Sequence, residues 1–169
     1  IQDFLYDFSP IAIPYDNVDE EFLIKPKKWD TKGLGTFMNV MGPVSSIIDV
    51  LAFLAFWFIL GYNSVASETY FQTAWFVECL ISETLIIHFV RTSKIPFIES
   101  KANKILTIST FITIAGTIIT PILLHSVKSF NFVILPIKYY LFVVILLIIY
   151  TVLVQKVKKM YIKKYGEWL

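Results

Sequence analysis

Two aspartates at the start of the chain have the spacing of a cation site. Asp3 and Asp7 are four residues apart, so on a helix their carboxylates lie on one face. Two carboxylates repel each other there unless a cation or a proton lies between them. Pro10 and Pro14 follow, and proline leaves backbone carbonyls without their helical donors. Carboxylates with free carbonyls suit a hard divalent cation, although solvated acids on a helix outside a membrane would give the same pattern.

A second group of ionisable residues lies within an apolar stretch at 71–90, where Glu78, Glu83 and His88 occur. A charge at membrane depth costs on the order of 2.5–3.5 kcal/mol, so such residues normally face a bundle interior or a water-filled path. At about 100° per residue, Glu83 lies about 140° and His88 about 280° around the helix from Glu78. They cannot all line one pathway, and we expect protein on most sides of this helix. We expect His88 to be structural or interfacial.

Asp49 is a further acid in an apolar segment. Ser45 and Ser46 precede it by four and three residues, so their hydroxyls could reach its carboxylate. We favour a hydrogen bond between helices over an ion ligand at this position. In a later segment, small residues recur every four positions, which predicts close helix packing. These residues are Ser109, Thr113 and Thr117, with Gly116 adjacent.

The composition places these residues in a membrane. The 169 residues are 56% hydrophobic, with a mean hydropathy of +0.67, whereas a soluble domain is about 45–50% apolar. Apolar segments at 36–61, 70–90, 105–124 and 137–155 are long enough to cross a roughly 30 Å hydrocarbon core. The segment at 1–15 reaches only about 22 Å as a helix. We therefore predict an all-α, polytopic transmembrane helical bundle with four full spanning helices plus the end of a fifth.

The distribution of lysine and arginine predicts the orientation. The loop at 16–33 and the connection at 91–104 carry four basic residues each, and the tail at 156–169 carries five. The connection at 62–69 carries none, and the one at 125–136 carries only one. Since cytoplasmic loops are enriched in lysine and arginine, we expect the basic connections and the C-terminus to be cytoplasmic.

These patterns divide the chain into four parts. They are the end of a truncated membrane helix (1–15), a cytoplasmic loop (16–33), a four-helix transmembrane domain (34–155) and a basic cytoplasmic tail (156–169). The chain starts with Ile1 inside an apolar pattern, which we interpret as a fragment of a longer protein. Aromatic residues near the boundaries suit an interfacial belt or ordinary packing equally: Trp29, Tyr62, Tyr70, Tyr139, Tyr140, Tyr161 and Trp168.

Several functions are disfavoured by what the sequence lacks. It has no Gly-rich phosphate loop, no HExxH and no CxxC motif. Cys79 is the only cysteine, so no disulfide can form within the chain. The basic loops are short and are balanced by acids such as Asp16 and Asp19, so we expect no nucleic acid partner. Anionic lipid or a cytoplasmic domain is the expected partner of these loops.

Longer stretches resemble the C-terminal membrane region of P-type magnesium-transporting ATPases. The most specific is AWFVECLISETLIIHFVRTSKIPFIES at 74–100. DFLYDFSPIAIPYDNVD at 3–19, KPKKWD at 25–30, GPVSSIID at 42–49 and YIKKYGEW at 161–168 occur in the same order. The resemblance covers essentially the whole chain. It implies that the first segment is the end of the sixth membrane helix and that the other four are helices seven to ten.

The resemblance also implies residue roles. Asp7 matches a carboxylate common to many of these pumps, and Asp3 stands where an Asn is more usual. Glu78 is similar in placement to an acid of the eighth helix that binds the cation in some relatives. Asp7, Asp3 and Glu78 are therefore the metal ligands that the resemblance implies. Glu83 stands where the magnesium pumps usually have Gln, and no family role is carried over to it.

The activity implied by the resemblance is ATP-driven import of Mg²⁺ across a plasma membrane of the bacterial inner-membrane type. Mg²⁺ would be the transported ion. ATP would act only through domains absent from this chain, because the sequence contains no DKTGT, no TGE and no nucleotide-binding domain. The implied partners are membrane lipid and the remaining helices and cytoplasmic domains of the parent pump.

Two other interpretations stay open. The chain could be a small non-catalytic membrane channel, a proton-coupled carrier or an accessory subunit. Such a module would use Glu78, Glu83 and Asp49 for protons or cations. A purely structural scaffold would need all the buried acids to act only as hydrogen-bonded links between helices, which suits the pair Asp3 and Asp7 less well.

Overall fold

The computed structural model describes residues 1–20, 23 and 31–168. Across these residues no β-strand occurs, and the prediction of an all-α bundle is confirmed. Helices α2 to α5 are each long and apolar enough to cross a membrane, as predicted. The α-helices are α1 (Gln2–Asp7), α2 (Thr31–Phe58), α3 (Glu68–Val90), α4 (Lys104–Leu124) and α5 (Ile137–Tyr165), with 3-10 turns at Pro10–Tyr15 and Val65–Ser67.

The prolines of the first segment break it into two short pieces. α1 ends at Asp7, and the 3-10 turn Pro10–Tyr15 follows it. Proline has no N–H to donate and clashes with the preceding helical turn, so an α-helix cannot continue unchanged through Pro10 and Pro14. That this segment is the end of a longer membrane helix stays a prediction.

The ends of α4 and α5 follow from local chemistry. The Asn103 side chain accepts a hydrogen bond from the Ile105 N–H at 3.0 Å and caps α4. α5 does not stop at Gln155, where the apolar segment was predicted to end, but continues to Tyr165. Lysine is a good helix former, so the helix persists until Gly166, whose φ of 84° gives a left-handed C-cap.

The four long helices run alternately up and down. At one end of the bundle, the Trp168 indole donates to the Val90 carbonyl at 2.9 Å and packs edge-to-face on Phe37. The start of α2 and the ends of α3 and α5 therefore meet there. At the other end, Asn131 of the α4–α5 connection donates to Thr69 at the start of α3.

Most of the described basic residues lie at the end of the bundle that holds Val90. Lys32 is the second residue of α2, Arg91 follows α3 and Lys104 begins α4. The alternation of charge in the sequence thus separates the two ends of the bundle. Predictions for the KPKKWD stretch fall outside the described residues, and so do its members Lys25, Lys27, Lys28 and Trp29.

α3 is the central helix. Its most apolar window is 67% buried, against 33% for α2 and 28% for α4 and for α5. The prediction that protein surrounds this helix on most sides is confirmed. The Tyr139 hydroxyl of α5 donates to the Ala74 carbonyl at 2.6 Å, and Tyr161 and Trp168 are also buried. These three aromatic residues therefore pack in the core and do not form an interfacial belt.

Candidate functional site

Glu78 lies in the interior of the bundle, in the central helix α3. Its side chain is fully buried, and neither carboxylate oxygen has a hydrogen-bond partner among the described residues. Ser82, on the same helix face, donates instead to the Cys79 carbonyl at 3.0 Å. An isolated buried carboxylate is too costly to persist. The position therefore requires a proton, a cation or a donor from outside the described residues.

A cavity adjoins this position between α2, α3 and α5. Its volume is about 180 Å³, and because one water occupies about 30 Å³ in the liquid, it has room for several waters. Asp49 and Glu83 both line it, whereas Glu78 does not. The two glutamates thus face different surroundings, as the helical geometry predicted. The lining residues are Ser45, Ile48, Asp49, Cys79, Ser82, Glu83, Ile86 and Tyr150.

The prediction that the hydroxyls of Ser45 and Ser46 reach the Asp49 carboxylate is wrong. The Ser45 hydroxyl lies 2.9 Å from the Tyr150 hydroxyl of α5, and Ser46 donates to the Gly42 carbonyl at 3.4 Å. A serine inside a helix can satisfy itself on the carbonyl one turn back, which competes with a neighbouring side chain. A hydrogen bond between α2 and α5 is present, but it joins Ser45 to Tyr150 and does not involve Asp49.

The aspartates of α1 are exposed in this chain. Asp3 and Asp7 both lie on the surface, and the Gln2 side chain hydrogen-bonds to Glu83 of α3. Asp3 also lies within electrostatic range of Glu83. The described residues contain no group of three or more His, Cys, Asp or Glu arranged to hold a metal ion. Asp3, Asp7 and Glu78 are therefore not brought together within the described part of the chain.

His88 lies inside the bundle, and its expected structural role stays a prediction. It is buried, and its Nε2 lies 2.8 Å from the Thr110 hydroxyl of α4. Its ring packs against Phe97 with the ring centroids 4.7 Å apart. His88 therefore links α3 to α4 and to the connection between them.

The small residues of α4 form a packing face. Thr113 and Thr117 are buried and Ser109 is half-buried. A side chain added at Gly116 would lie 3.4 Å from Leu5 of α1. The predicted close packing is therefore present, and on part of this face the partner is α1.

A hydrogen-bonded network at the basic end of the bundle was not foreseen. Arg91 forms a salt bridge with Asp16, and its guanidinium also donates to the Asn17 carbonyl at 2.9 Å and to the Ser100 hydroxyl at 3.0 Å. The second oxygen of Asp16 accepts from the Asn103 N–H at 2.7 Å. Asp16 and Arg91 are 75 positions apart. Sequence reasoning counted Asp16 only as a charge that balances the loop.

Asp19 is the second acid of this network. Ser100 donates to one of its oxygens at 2.6 Å, and Thr92 donates to the other. Burial disfavours its charged form, but the Ser100 and Thr92 hydrogen bonds and the nearby Arg91 and Lys94 outweigh burial. The pKa of Asp19 is therefore lowered below its usual 3.8. A DxxD pair before a basic loop was the one available signal in the sequence.

The end of α5 completes the network. Lys158 is 1% exposed, and its ammonium donates to the Thr92 carbonyl at 2.8 Å and to the Lys94 carbonyl at 3.2 Å. The same ammonium lies 5.2 Å from the centre of the Trp168 ring, within cation–π range. Lys158 lies in the segment that was predicted to be a basic tail. In the structure it is buried and hydrogen-bonded to the α3–α4 connection.

Comparisons with known proteins agree on one family. The family model described as cation transporting ATPase, C-terminus, matches residues 1–160. The chain is 40% identical over 169 residues, or 99% of its length, to the magnesium-transporting ATPase, P-type 1, of Salmonella typhimurium. It is 42% identical over 167 residues, or 98% of its length, to the protein of the same name from Escherichia coli K12. The chain spans 18% of the length of each of these relatives.

Proposed function

We infer the function from a single premise: this chain belongs to the family of cation-transporting ATPase C-terminal regions. With four spanning helices, it is a multi-pass membrane protein. We propose that it is the membrane part of an ATP-driven P-type pump that imports Mg²⁺. In that pump it contributes part of the intramembrane cation site and the supporting helix bundle. ATP is hydrolysed by cytoplasmic domains that lie outside this chain.

The observation that carries the proposal is the unpartnered carboxyl of Glu78. A fully buried acid at membrane depth, with no donor on either oxygen among the described residues, calls for a positive charge or a proton. In a family of cation transporters, the transported ion is the natural partner. Carboxylate oxygens are the ligands that Mg²⁺ takes in proteins, usually together with water.

Asp7 and Asp3 supply the rest of this chain's share of the site. Both lie on the surface of α1, where helices of the parent pump outside this chain can cover them. The contact between Gln2 and Glu83 holds this end of α1 against α3. The further ligands come from those other helices, so the complete site forms only in the parent pump.

We place the basic end of the bundle in the cytoplasm. Arg91, Lys104 and the lysines at the end of α5 share this end, which is the arrangement that the positive-inside rule favours. The localisation is then a plasma membrane of the bacterial inner-membrane type. The partners are membrane lipid and the remaining helices and cytoplasmic domains of the pump.

The decisive experiment measures Mg²⁺ uptake by the complete parent pump carrying Asp7→Ala. We expect uptake to be abolished while the protein remains in the membrane, because a ligand is removed and the fold is not touched. Glu20→Gln, which neutralises an exposed acid outside the site, is the control and should retain uptake. Wild-type uptake in Asp7→Ala would sink the assignment of this residue.

A second candidate function is a small channel, proton-coupled carrier or accessory subunit. The cavity lined by Asp49 and Glu83 favours it, because it offers space for water beside carboxylates in apolar helices. The intact mass of the native protein separates the two candidates. A much longer polypeptide with a DKTGT motif supports the pump, and a native chain that starts near Ile1 supports the smaller module.

A further inference from the structure

We propose that Arg91, through Asp16 and Asp19, positions helix α1 and thereby sets the affinity of the cation site. These three are positioning residues, since none of them would touch the cation. The inference rests on the proposed function for its transport readout. Its structural readout does not depend on that function.

In the segment at 16–19, which follows α1 and its 3-10 turn, every carboxylate oxygen accepts a hydrogen bond. Asp16 accepts from Arg91 on one oxygen and from the Asn103 N–H on the other. Asp19 accepts from Ser100 on one oxygen and from Thr92 on the other. A polar network in which each member is satisfied holds its parts in one arrangement. The four bonds therefore fix the segment at 16–19 to the α3–α4 connection.

Arg91 is suited to this task in a way that lysine is not. Its guanidinium donates to three separate groups: the Asp16 carboxylate, the Asn17 carbonyl and the Ser100 hydroxyl. The donors of a guanidinium are held in a rigid planar fork, whereas an ammonium is a point charge on a flexible stem. The Arg91 and Asp16 side chains are only 9% and 11% exposed, so water does not readily replace these bonds.

The other side of the network is anchored in the bundle. Lys158 of α5 donates to the carbonyls of Thr92 and Lys94, and Trp168 donates to the Val90 carbonyl. The start of the α3–α4 connection is thus hydrogen-bonded to the end of α5 and to Trp168, which follows it. It is the fixed partner, and the segment after α1 is the part that it positions.

A short, stiff link carries this constraint to the aspartates of α1. The link between Asp7 and Asp16 is mostly the 3-10 turn Pro10–Tyr15, in which two prolines restrict the backbone. Within the membrane, Leu5 packs on Gly116 of α4. α1 is therefore held both by this contact and by the network, and a shift of Asp16 must move Asp7 or break the turn.

The structural test is a cross-link between α1 and α4 in the complete parent pump. Leu5→Cys and Gly116→Cys are introduced with Cys79→Ser and with the parent's other cysteines replaced. We expect efficient disulfide formation, and a fall of roughly threefold or more when Arg91→Lys or Asp16→Asn is added. Glu20→Gln is the matched control and should leave the yield unchanged. An unchanged yield in folded Arg91→Lys and Asp16→Asn pumps would overturn the inference.

The functional test is the initial rate of Mg²⁺ uptake against external Mg²⁺ concentration. We expect Arg91→Lys to raise the half-saturating concentration roughly three- to tenfold, with the maximal rate per folded pump little changed. A merely structural role would lower the amount of folded pump without changing that concentration. An unchanged half-saturating concentration would therefore overturn the inference, even if the cross-link yield falls.

A second pair of variants keeps the test open if Arg91→Lys fails to fold. Thr92→Val removes the hydroxyl that binds Asp19 at nearly constant shape, and Thr92→Ser retains it. We expect Thr92→Val to raise the half-saturating concentration and Thr92→Ser to leave it at the wild-type value. Equal values for the two variants would count against the inference. A wild-type pump without Mg²⁺ uptake would instead defeat the proposed function, while the cross-linking result would still stand.

Discussion

Carboxylates occur in this molecule in two opposite conditions. At the basic end of the bundle, each oxygen of Asp16 and Asp19 accepts a hydrogen bond from a donor of the chain itself. In the middle of the bundle, Glu78 is fully buried and has no donor among the described residues. The same chemical group thus has all its hydrogen-bond donors in one region and none among the described residues in the other.

The difference separates a structural role from a site. Asp16 and Asp19 gain from bonds within the fold, so removing a partner should cost stability. The buried Glu78 carboxyl destabilises the fold unless a proton or a cation neutralises it. Removing it should therefore impair function without lowering the free energy of unfolding. The cavity beside Glu78 belongs with the incomplete region, because its acids Asp49 and Glu83 enclose space for water.

The largest effect on stability is expected at Arg91. Arg91→Ala leaves the mostly buried Asp16 carboxylate without its ion pair, which should lower the free energy of unfolding by about 3–5 kcal/mol. Thermal and denaturant unfolding of the purified pump in detergent would measure it. Lys101→Ala, which removes an exposed charge from the same connection, is the control. A loss no larger than that of the control would erase the contrast between the two regions.

Lys158 tests the same region from α5. Lys158→Met keeps an apolar stem but removes the donor to the Thr92 and Lys94 carbonyls, which should cost about 1–3 kcal/mol. The neighbouring Lys159 is exposed, so Lys159→Met should change stability little. Equal unfolding temperatures for the two variants would show that the buried amine does not stabilise the network.

Glu78 should behave in the opposite way. Glu78→Met replaces an unpartnered buried acid by an apolar side chain of similar shape, so we expect unchanged or about 1 kcal/mol higher stability together with loss of Mg²⁺ uptake. If Glu78→Met were clearly less stable than wild type, Glu78 would have a partner in the complete pump.

The smallest effect concerns pH and Asp19. Because the pKa of Asp19 is lowered in the folded chain, its stabilisation is fully present above the ordinary aspartate pKa of 3.8. It is lost as the pH falls through the lower folded pKa. Asp19→Asn should therefore be less stable than wild type at neutral pH, by about 1 kcal/mol or less because Asp19 is only partly buried. The gap should close as the pH falls below about 4, and a gap independent of pH would show that the charge of Asp19 does not stabilise the fold.

The helices could be predicted because their signals are local. Apolar length identified the four long helices, and α4 begins within one residue of its predicted start at 105. The end of α5 was missed because Lys158 is charged in the sequence but buried in the fold. A lysine at the end of an apolar run indicates solvent unless the carbonyls that receive it are known, and these lie more than 60 positions away.

The site was only partly predictable for a related reason. The angle between Glu78 and Glu83 around their helix is a local property, and it correctly separated their surroundings. The partners of Asp49, Ser45 and Asp16 depend on contacts between distant segments, for which one sequence carries no signal. The grouping of Asp3, Asp7 and Glu78 stays a prediction, because the described residues alone do not form a group that could hold a metal ion.

The packing of α2 against α3 has a practical consequence for spectroscopy. Phe53 lies between Trp57, stacked at 6.1 Å, and Trp75, which meets it edge-on at 6.2 Å. Phe71 contacts both tryptophans as well. Indole rings held in fixed orientations against other aromatic rings contribute to near-ultraviolet circular dichroism. The signal of these rings offers a label-free optical reporter of whether these two helices stay together.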